Sequence, residues 1–239
     1  MNKLFLKGVR HGVPIALGYL SVSFAFGMEC VKAGLTPLQA LLISMTNLTS
    51  AGQLAGLQVM IAQSSLIEMA LTQFIINLRY ALMGLSLSQK LGPTMNTPRR
   101  MFFSFANTDE IFAVSSAQPG KLHHHYLYGL MLTPYIGWSL GTILGAVAGQ
   151  VLPEFVRSAL GIAIYGMFIA IVIPPARKEK SVALVVLTAI AISFCFKYVP
   201  VLNQVSGGFV VIICAVIAAT VGALLFPVHD DAPAEEVEA

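Results

Sequence analysis

The sequence predicts an all-α, polytopic membrane protein, and three observations carry that prediction. Apolar residues fill 56% of the 239 positions and charged residues only 10%, against roughly 25% charged in a typical soluble domain. The apolar residues fall in long runs, and about 20 such residues suffice for a helix to cross a bilayer. Short loops rich in turn residues separate the runs: Gly34-Leu35-Thr36-Pro37, Gly92-Pro93, Pro119-Gly120 and Pro174-Pro175. A soluble fold of this length could not hide so much apolar surface in one core.

Eight segments follow in order, at roughly 12–32, 38–61, 65–89, 101–118, 126–150, 155–174, 181–199 and 207–227. The first, preceded by Lys3, Lys7 and Arg10, is read as a retained helix. Met28-Glu29-Cys30 makes a poor small-residue cleavage site, and more spans follow. The second holds Asn47-Leu48-Thr49-Ser50-Ala51-Gly52-Gln53 at its centre, a polar and small run that suits a break. Unbroken, it would reach about 36 Å and cross. The third contains Arg79 and ends near Lys90; the fourth is short, follows Arg99 and Arg100, and contains Asp109 and Glu110. The fifth presents Gly137, Trp138, Gly141, Gly145 and Gly149, a small-residue face that suits close helix packing. The sixth has a second candidate break at Tyr165-Gly166. The seventh and eighth are apolar nearly throughout. Residues 1–228 are read as one transmembrane domain and 229–239 as an acidic, disordered tail.

Lys3, Lys7 and Arg10, then Lys90, Arg99 and Arg100, then Arg177, Lys178 and Lys180 should all face the cytoplasm. Eight full spans would place the second cluster outside. Re-entry of 38–61 and 155–174 removes the conflict and leaves six spans, so six to eight is the predicted range. The two halves would then form an inverted repeat. Arg10-His11-Gly12 is weakly echoed by Tyr128-Gly129, and Arg79-Tyr80 by Lys197-Tyr198. Such repeats place binding sites at mid-depth between broken helices, where irregular backbone must be covered by protein or water.

Ionisable groups at that depth are expensive and tend to mark function. Arg79 lies eleven residues before Lys90, about 16 Å from the surface. Asp109 lies nine residues after Arg100, about 14 Å deep. If segments three and four form a hairpin through Gly92-Pro93, the two meet at one depth, as a binding site or as a lock on the hairpin. One guanidinium cannot compensate both Asp109 and Glu110, so one carboxyl is free to exchange protons. Asn47, Thr49, Gln53, Asn77, Thr108, Trp138 and Tyr165 complete the candidate substrate site. Hydroxyls there can instead bond their own helix turn, and Trp138 can simply pack. His123-His124-His125 reads as an interfacial loop without metal, since adjacent residues share no helix face. Glu29 and Glu68 read as hydrated segment ends.

Five of the eleven acids, Asp230, Asp231, Glu235, Glu236 and Glu238, lie in the tail. The remaining excess of bases is scattered in short loops and implies no nucleic-acid partner. Cys30, Cys195 and Cys214 lie far apart in apolar stretches, as buried hydrophobes. P-loop, H-E-x-x-H, nucleophile-elbow and C-x-x-C patterns do not occur. The expectation is therefore a transporter without cofactor, not an enzyme, with a channel-like pore for a small solute as the alternative.

Several of these residues resemble the AzlC family, the large subunit of two-component branched-chain amino-acid exporters. The resemblance rests on Arg10-His11-Gly12-Val13-Pro14, on Asn77-Leu78-Arg79-Tyr80 with Met83-Gly84-Leu85-Ser86-Leu87, on Thr108-Asp109-Glu110, and on Trp138, Gly141-Thr142, Gly145 and Gly149. Two departures touch the candidate site. The family's Ala-Gly-small-small-Gln turn is here Thr49-Ser50-Ala51-Gly52-Gln53, and its Gly-Leu-Asp-Phe is here Gly161-Ile162-Ala163-Ile164. The resemblance implies export of branched-chain or other hydrophobic amino acids across a bacterial inner membrane. It also implies a proton gradient as energy source and a small AzlD-type membrane subunit as partner.

Overall fold

The structure, a computed structural model, describes residues 3–156, 166, 169 and 172–227. Tyr165 of the expected break at Tyr165-Gly166, most of segment 155–174, and the tail from 229 lie outside the described residues. Two units, residues 1–168 and 169–239, are each taken by themselves. Five described helices are long and apolar enough to cross a bilayer, and the helical polytopic class expected from the sequence is what is found.

In the first unit, α1 (Lys3–Lys32) ends at Gly34, whose φ of +88° is open to a glycine without strain. α2 (Pro37–Thr46) starts on a capping box: Thr36 accepts from Gln39 N, and Gln39 Oε1 accepts from Thr36 N. The chain then breaks at 47–49. α3 (Ser50–Ile61) restarts with Thr49 as N-cap, and α4 (Leu66–Ser88) is capped by Ser65. α5 (Thr97–Ser104) is capped by Asn96, and α6 (Asp109–Ser116) follows a second break. α7 (His124–Val151) completes the unit.

Helix directions follow from who meets whom. Gly8 abuts Tyr126 and Leu130, Gly12 abuts Thr133, Gly141 abuts Leu20 and Ser23, and Gly149 abuts Met28. Both numbers rise together, so α1 and α7 run parallel along a seam of small residues. A Cβ at Gly145 would land on the carbonyl oxygen of Phe24; only glycine admits this approach. The end where both helices begin is here the near face, and the end where they finish is the far face.

α2 and α3 make a hairpin that enters and leaves at the far face. Ala40 of α2 and Leu57 of α3 share one apolar cluster with Cys30 and Ala146, near the far ends of α1 and α7. Deeper in, Ser44 meets Thr142 and Gln53 meets Trp138. α4 then returns to the near face: it runs antiparallel to α3, with Tyr80 at Thr49, Gln73 at Gly52 and Met69 at Gly56. Its end is held there by Lys90, whose Nζ donates to the Ser116 and Gln118 carbonyls.

α5 and α6 make the mirror hairpin, from the near face. Phe102 packs on Tyr128 and Phe105 on Tyr135, so α5 descends beside α7. Tyr19 meets Thr108, while His11 meets Gln118, so α6 climbs back beside α1.

Two expectations are corrected. Segment 101–118 was expected to span; it breaks at 105–108 and returns. Asp109 and Glu110 favour a helix N-terminus, and each half, at about 12 Å, is too short to cross. The pairing of the first and fifth segments as inverted mates also fails, because α1 and α7 are parallel. The re-entry expected of 38–61 is present.

In the second unit, α8 (Lys180–Tyr198) and α9 (Gly207–Leu225) are joined by a short 3-10 turn at Leu202–Gln204. Gly222 abuts Val185 and Ser193 lies 3.5 Å from the buried Cys214 thiol, an antiparallel pair.

Candidate functional site

Both hairpin tips stop at mid-depth, and the polar residues that the helices carry collect there. Arg79 reaches from α4 to the first turn of α6, with Nη1 2.7 Å from Asp109 Oδ2. The expected partnership is present, through a different geometry. α4 and α6 run parallel rather than as an antiparallel hairpin, because the acid sits on the returning half-helix. Nη2 of Arg79 donates to the Tyr80 hydroxyl at 3.2 Å, and that hydroxyl donates to Thr49 Oγ1 at 3.2 Å. Thr49, Tyr80, Arg79 and Asp109 thus form a continuous polar link from one tip to the other. Within the first unit the Arg79 and Asp109 side chains are 45% and 46% exposed, so the link opens onto a surface of this unit rather than lying sealed in its core.

Glu110 is held separately. The Tyr19 hydroxyl is hydrogen-bonded to Glu110 Oε2 at 2.5 Å and to Thr108 Oγ1 at 2.6 Å. Thr108 is the N-cap of α6 but makes no side-chain cap there, leaving first-turn N–H groups unsatisfied by its hydroxyl. α6 starts at the second tip and α3 starts at the first, so the positive ends of two half-helices and one guanidinium meet two carboxylates at one depth.

Gln53 and Trp138 do not line open space. Trp138 is 3% exposed and Gln53 1%. Trp138 Nε1 donates to Gln53 Oε1 at 3.0 Å, Gln53 Nε2 donates to Ser44 Oγ at 3.1 Å, and Ser44 Oγ lies 2.7 Å from Thr142 Oγ1. Trp138 also presents its ring edge-on to Tyr19, centroids 5.0 Å apart. These residues fix the first hairpin against α7. Asn77 is one step from the link, donating to Gln73 Oε1, while Gln73 Nε2 donates to Gly52 O. The oxygens Asn77 Oδ1 and Asn107 Oδ1 are buried acceptors without a partner among the described residues. Asn47 lies at the first tip, its N–H bonded to Ile43 O.

Of the residues that the sequence nominated, the structure brings Thr49, Arg79, Thr108, Asp109 and Glu110 into one neighbourhood, with Asn47 and Asn77 beside it. Sequence reasoning missed Tyr19, Ser44, Gln73 and Thr142. Tyr19 could have been found by depth alone: it lies nine residues beyond Arg10, as Asp109 lies nine beyond Arg100. Glu68, expected at a hydrated end, is only 4% exposed. Glu29 lies 3.8 Å from Lys32 and is partly exposed.

The histidine run is not a plain loop. His123 is the extended N-cap of α7, and this turn brings the ring nitrogens of His123, His124 and His125 within 4.8 Å of one another. Burial, then the charges of His125 and Arg99, hold the His123 imidazole below its usual range. A helix N-terminus and a neighbouring arginine both oppose a bound cation. A cleft of about 510 Å³ opens between the far ends of α1, α3 and α4, lined by Leu35, Leu57, Met60, Gln63 and Met69 among others. None of the tip residues lines it.

Comparison with known proteins gives a consistent set of relatives. The family described as AzlC protein matches residues 14–152, the stretch that contains both hairpins. Inner membrane protein YgaZ of Escherichia coli K12 is 27% identical over 74% of this chain and 75% of its own length. An uncharacterized membrane protein of Archaeoglobus fulgidus is 31% identical over 81% of this chain and 85% of its own. Another, from Helicobacter pylori 26695, is 27% identical over 68% and 75%. No solved structure matches.

Proposed function

The chain belongs to the AzlC family of polytopic membrane proteins, and from that premise we propose that it is a transporter, not an enzyme, that exports branched-chain or other hydrophobic amino acids. It acts as the large subunit of a two-component, proton-coupled exporter with a small AzlD-type membrane partner. It resides in a bacterial inner membrane, with the near face in the cytoplasm. That orientation follows from Lys3, Lys7, Arg10, Lys90, Arg99 and Arg100, which the helix directions bring to one face.

One observation carries the reading: Arg79 bridges the tips of two hairpins that enter from opposite faces, paired with Asp109 at one tip and linked through Tyr80 to Thr49 at the other. A zwitterion suits such a place. Arg79 and the half-helix N-termini favour its carboxylate. Glu110 and the unpaired Asn77 and Asn107 carbonyl oxygens favour its ammonium. One ion pair leaves one carboxylate over, which gives the site a group able to carry a proton. No soluble nucleotide-binding motif offers another energy source.

The test is export of isoleucine, leucine or methionine from cells with and without the small partner, followed by flux in liposomes under an imposed pH gradient. Saturable, gradient-dependent efflux is expected, and Arg79→Ala should abolish it. Wild-type efflux by Arg79→Ala would reject the site. The charge swap Arg79→Asp with Asp109→Arg should restore assembly without transport; full transport by the swap would make the pair a structural lock. Two opposed half-helix hairpins also suit a pore, and non-saturable flux would select that reading.

A further inference from the structure

The two hairpins are related by more than their opposite directions. α1 is followed by the far-face hairpin α2–α3, and α4 by the near-face hairpin α5–α6. α1 runs parallel to α3: both finish at the far face, where Cys30 and Leu57 belong to one apolar cluster. α4 runs parallel to α6, with Arg79 at Asp109 and Lys90 at Ser116. Each long helix is antiparallel to the returning half-helix of the other set, α1 to α6 and α4 to α3.

The side chains repeat the exchange. Tyr19 of α1 bonds Thr108, the N-cap of α6, at 2.6 Å. Tyr80 of α4 bonds Thr49, the N-cap of α3, at 3.2 Å. Each tyrosine precedes its own set's N-cap threonine by nearly the same stretch of chain, yet bonds the threonine of the other.

We propose that residues 3–116 form an inverted duplication in which Tyr19 and Tyr80 are reciprocal latches, Tyr80–Thr49 holding the far-face hairpin and Tyr19–Thr108 the near-face hairpin. They are positioning residues: each acts through a hairpin tip rather than on the solute. Under the transport reading proposed above, the latches decide from which face mid-depth is reached. A neutral phenol-to-threonine hydrogen bond is weak enough to break and remake. The longer Tyr80 bond is shared with Arg79, so the far-face latch also responds to whatever engages Arg79.

The experiment uses the full chain in native vesicles with its three cysteines replaced and one reporter, Asn47→Cys or Asn107→Cys. Membrane-impermeant maleimide is applied from either side. Tyr80→Phe should raise far-side labelling of the Asn47→Cys reporter several-fold and leave near-side labelling of Asn107→Cys unchanged. Tyr19→Phe should do the reverse. Thr49→Val, and Thr108→Val combined with Glu110→Ala because the Tyr19 hydroxyl bonds both residues, remove the same bonds from the other end and must reproduce the pattern, which also covers a tyrosine variant that fails to accumulate. If both reporters respond equally to either latch, or neither responds, the proposal is overturned. Labelling is read without any transported solute, so a wrong substrate leaves this test intact.

Discussion

Gln53 is satisfied at both ends, by the Trp138 indole and by Ser44, and all three side chains are buried. Gln53→Leu would leave the Trp138 N–H without its acceptor, at about 1–3 kcal/mol. The purified protein in detergent should show a clearly lowered Tm, and Trp138→Phe a comparable drop. Combined, the two should cost less than their sum; strict additivity would mean that the bond contributes nothing. Arg79 is a second case. Its planar fork serves Asp109 and Tyr80 at once, which a lysine ammonium on a flexible stem cannot reproduce. Arg79→Lys should therefore keep the fold yet lower export at least about tenfold, roughly the effect of a lost charged hydrogen bond. Unchanged export would show that the fork is unused. Arg79 and Asp109 were legible because depth can be counted from flanking bases. Gln53 was read as facing the solute because polar residues beside a break look alike in sequence; its two buried partners appear only once α2, α3 and α7 are packed.

The helices obey simpler rules. The break at the polar run 47–53 was readable; the caps at Thr36 with Gln39 and at Ser65 were not read, although each sits where chain chemistry places it. Segment 101–118 misled because its apolar length approaches that of a span. Its break is made by Asp109 and Glu110 starting a new helix, which hydropathy alone does not separate from a buried pair. The α1–α7 seam gives an element-scale prediction. Gly145→Leu would drive carbon into the Phe24 backbone, beyond the 1–3 kcal/mol of ordinary overpacking, and folded protein should be lost from detergent extracts. Gly84 in α4 has nothing within 4 Å of where a Cβ would sit. Gly84→Ala should leave export intact and raise stability by up to about 1 kcal/mol. A folded Gly145→Leu protein would refute the tight parallel seam.

Across the whole molecule, the positive-inside pattern conflicted with eight full spans, and this conflict was the most informative signal in the sequence. Re-entry was the right kind of solution. Where it occurs was only half legible, because two short segments, 38–61 and 101–118, fold back from opposite sides, and composition does not distinguish their directions. The arrangement predicts that single cysteines at Lys90, Gln118 and Lys121 react with impermeant reagents from one side, and those at Gly34 and Gln63 from the other. Reaction of Gln118 and Gly34 positions from the same side would break the topology.

The glycine seam also bears on biogenesis. α1 leaves the ribosome long before α7, yet its closest packing partner is α7. Until residue 151 has been made, the grooved side of α1 has only lipid against it. Synthesis and assembly are thus out of step, and a chain arrested between α6 and α7 should be a preferred client of membrane insertases and quality-control proteases.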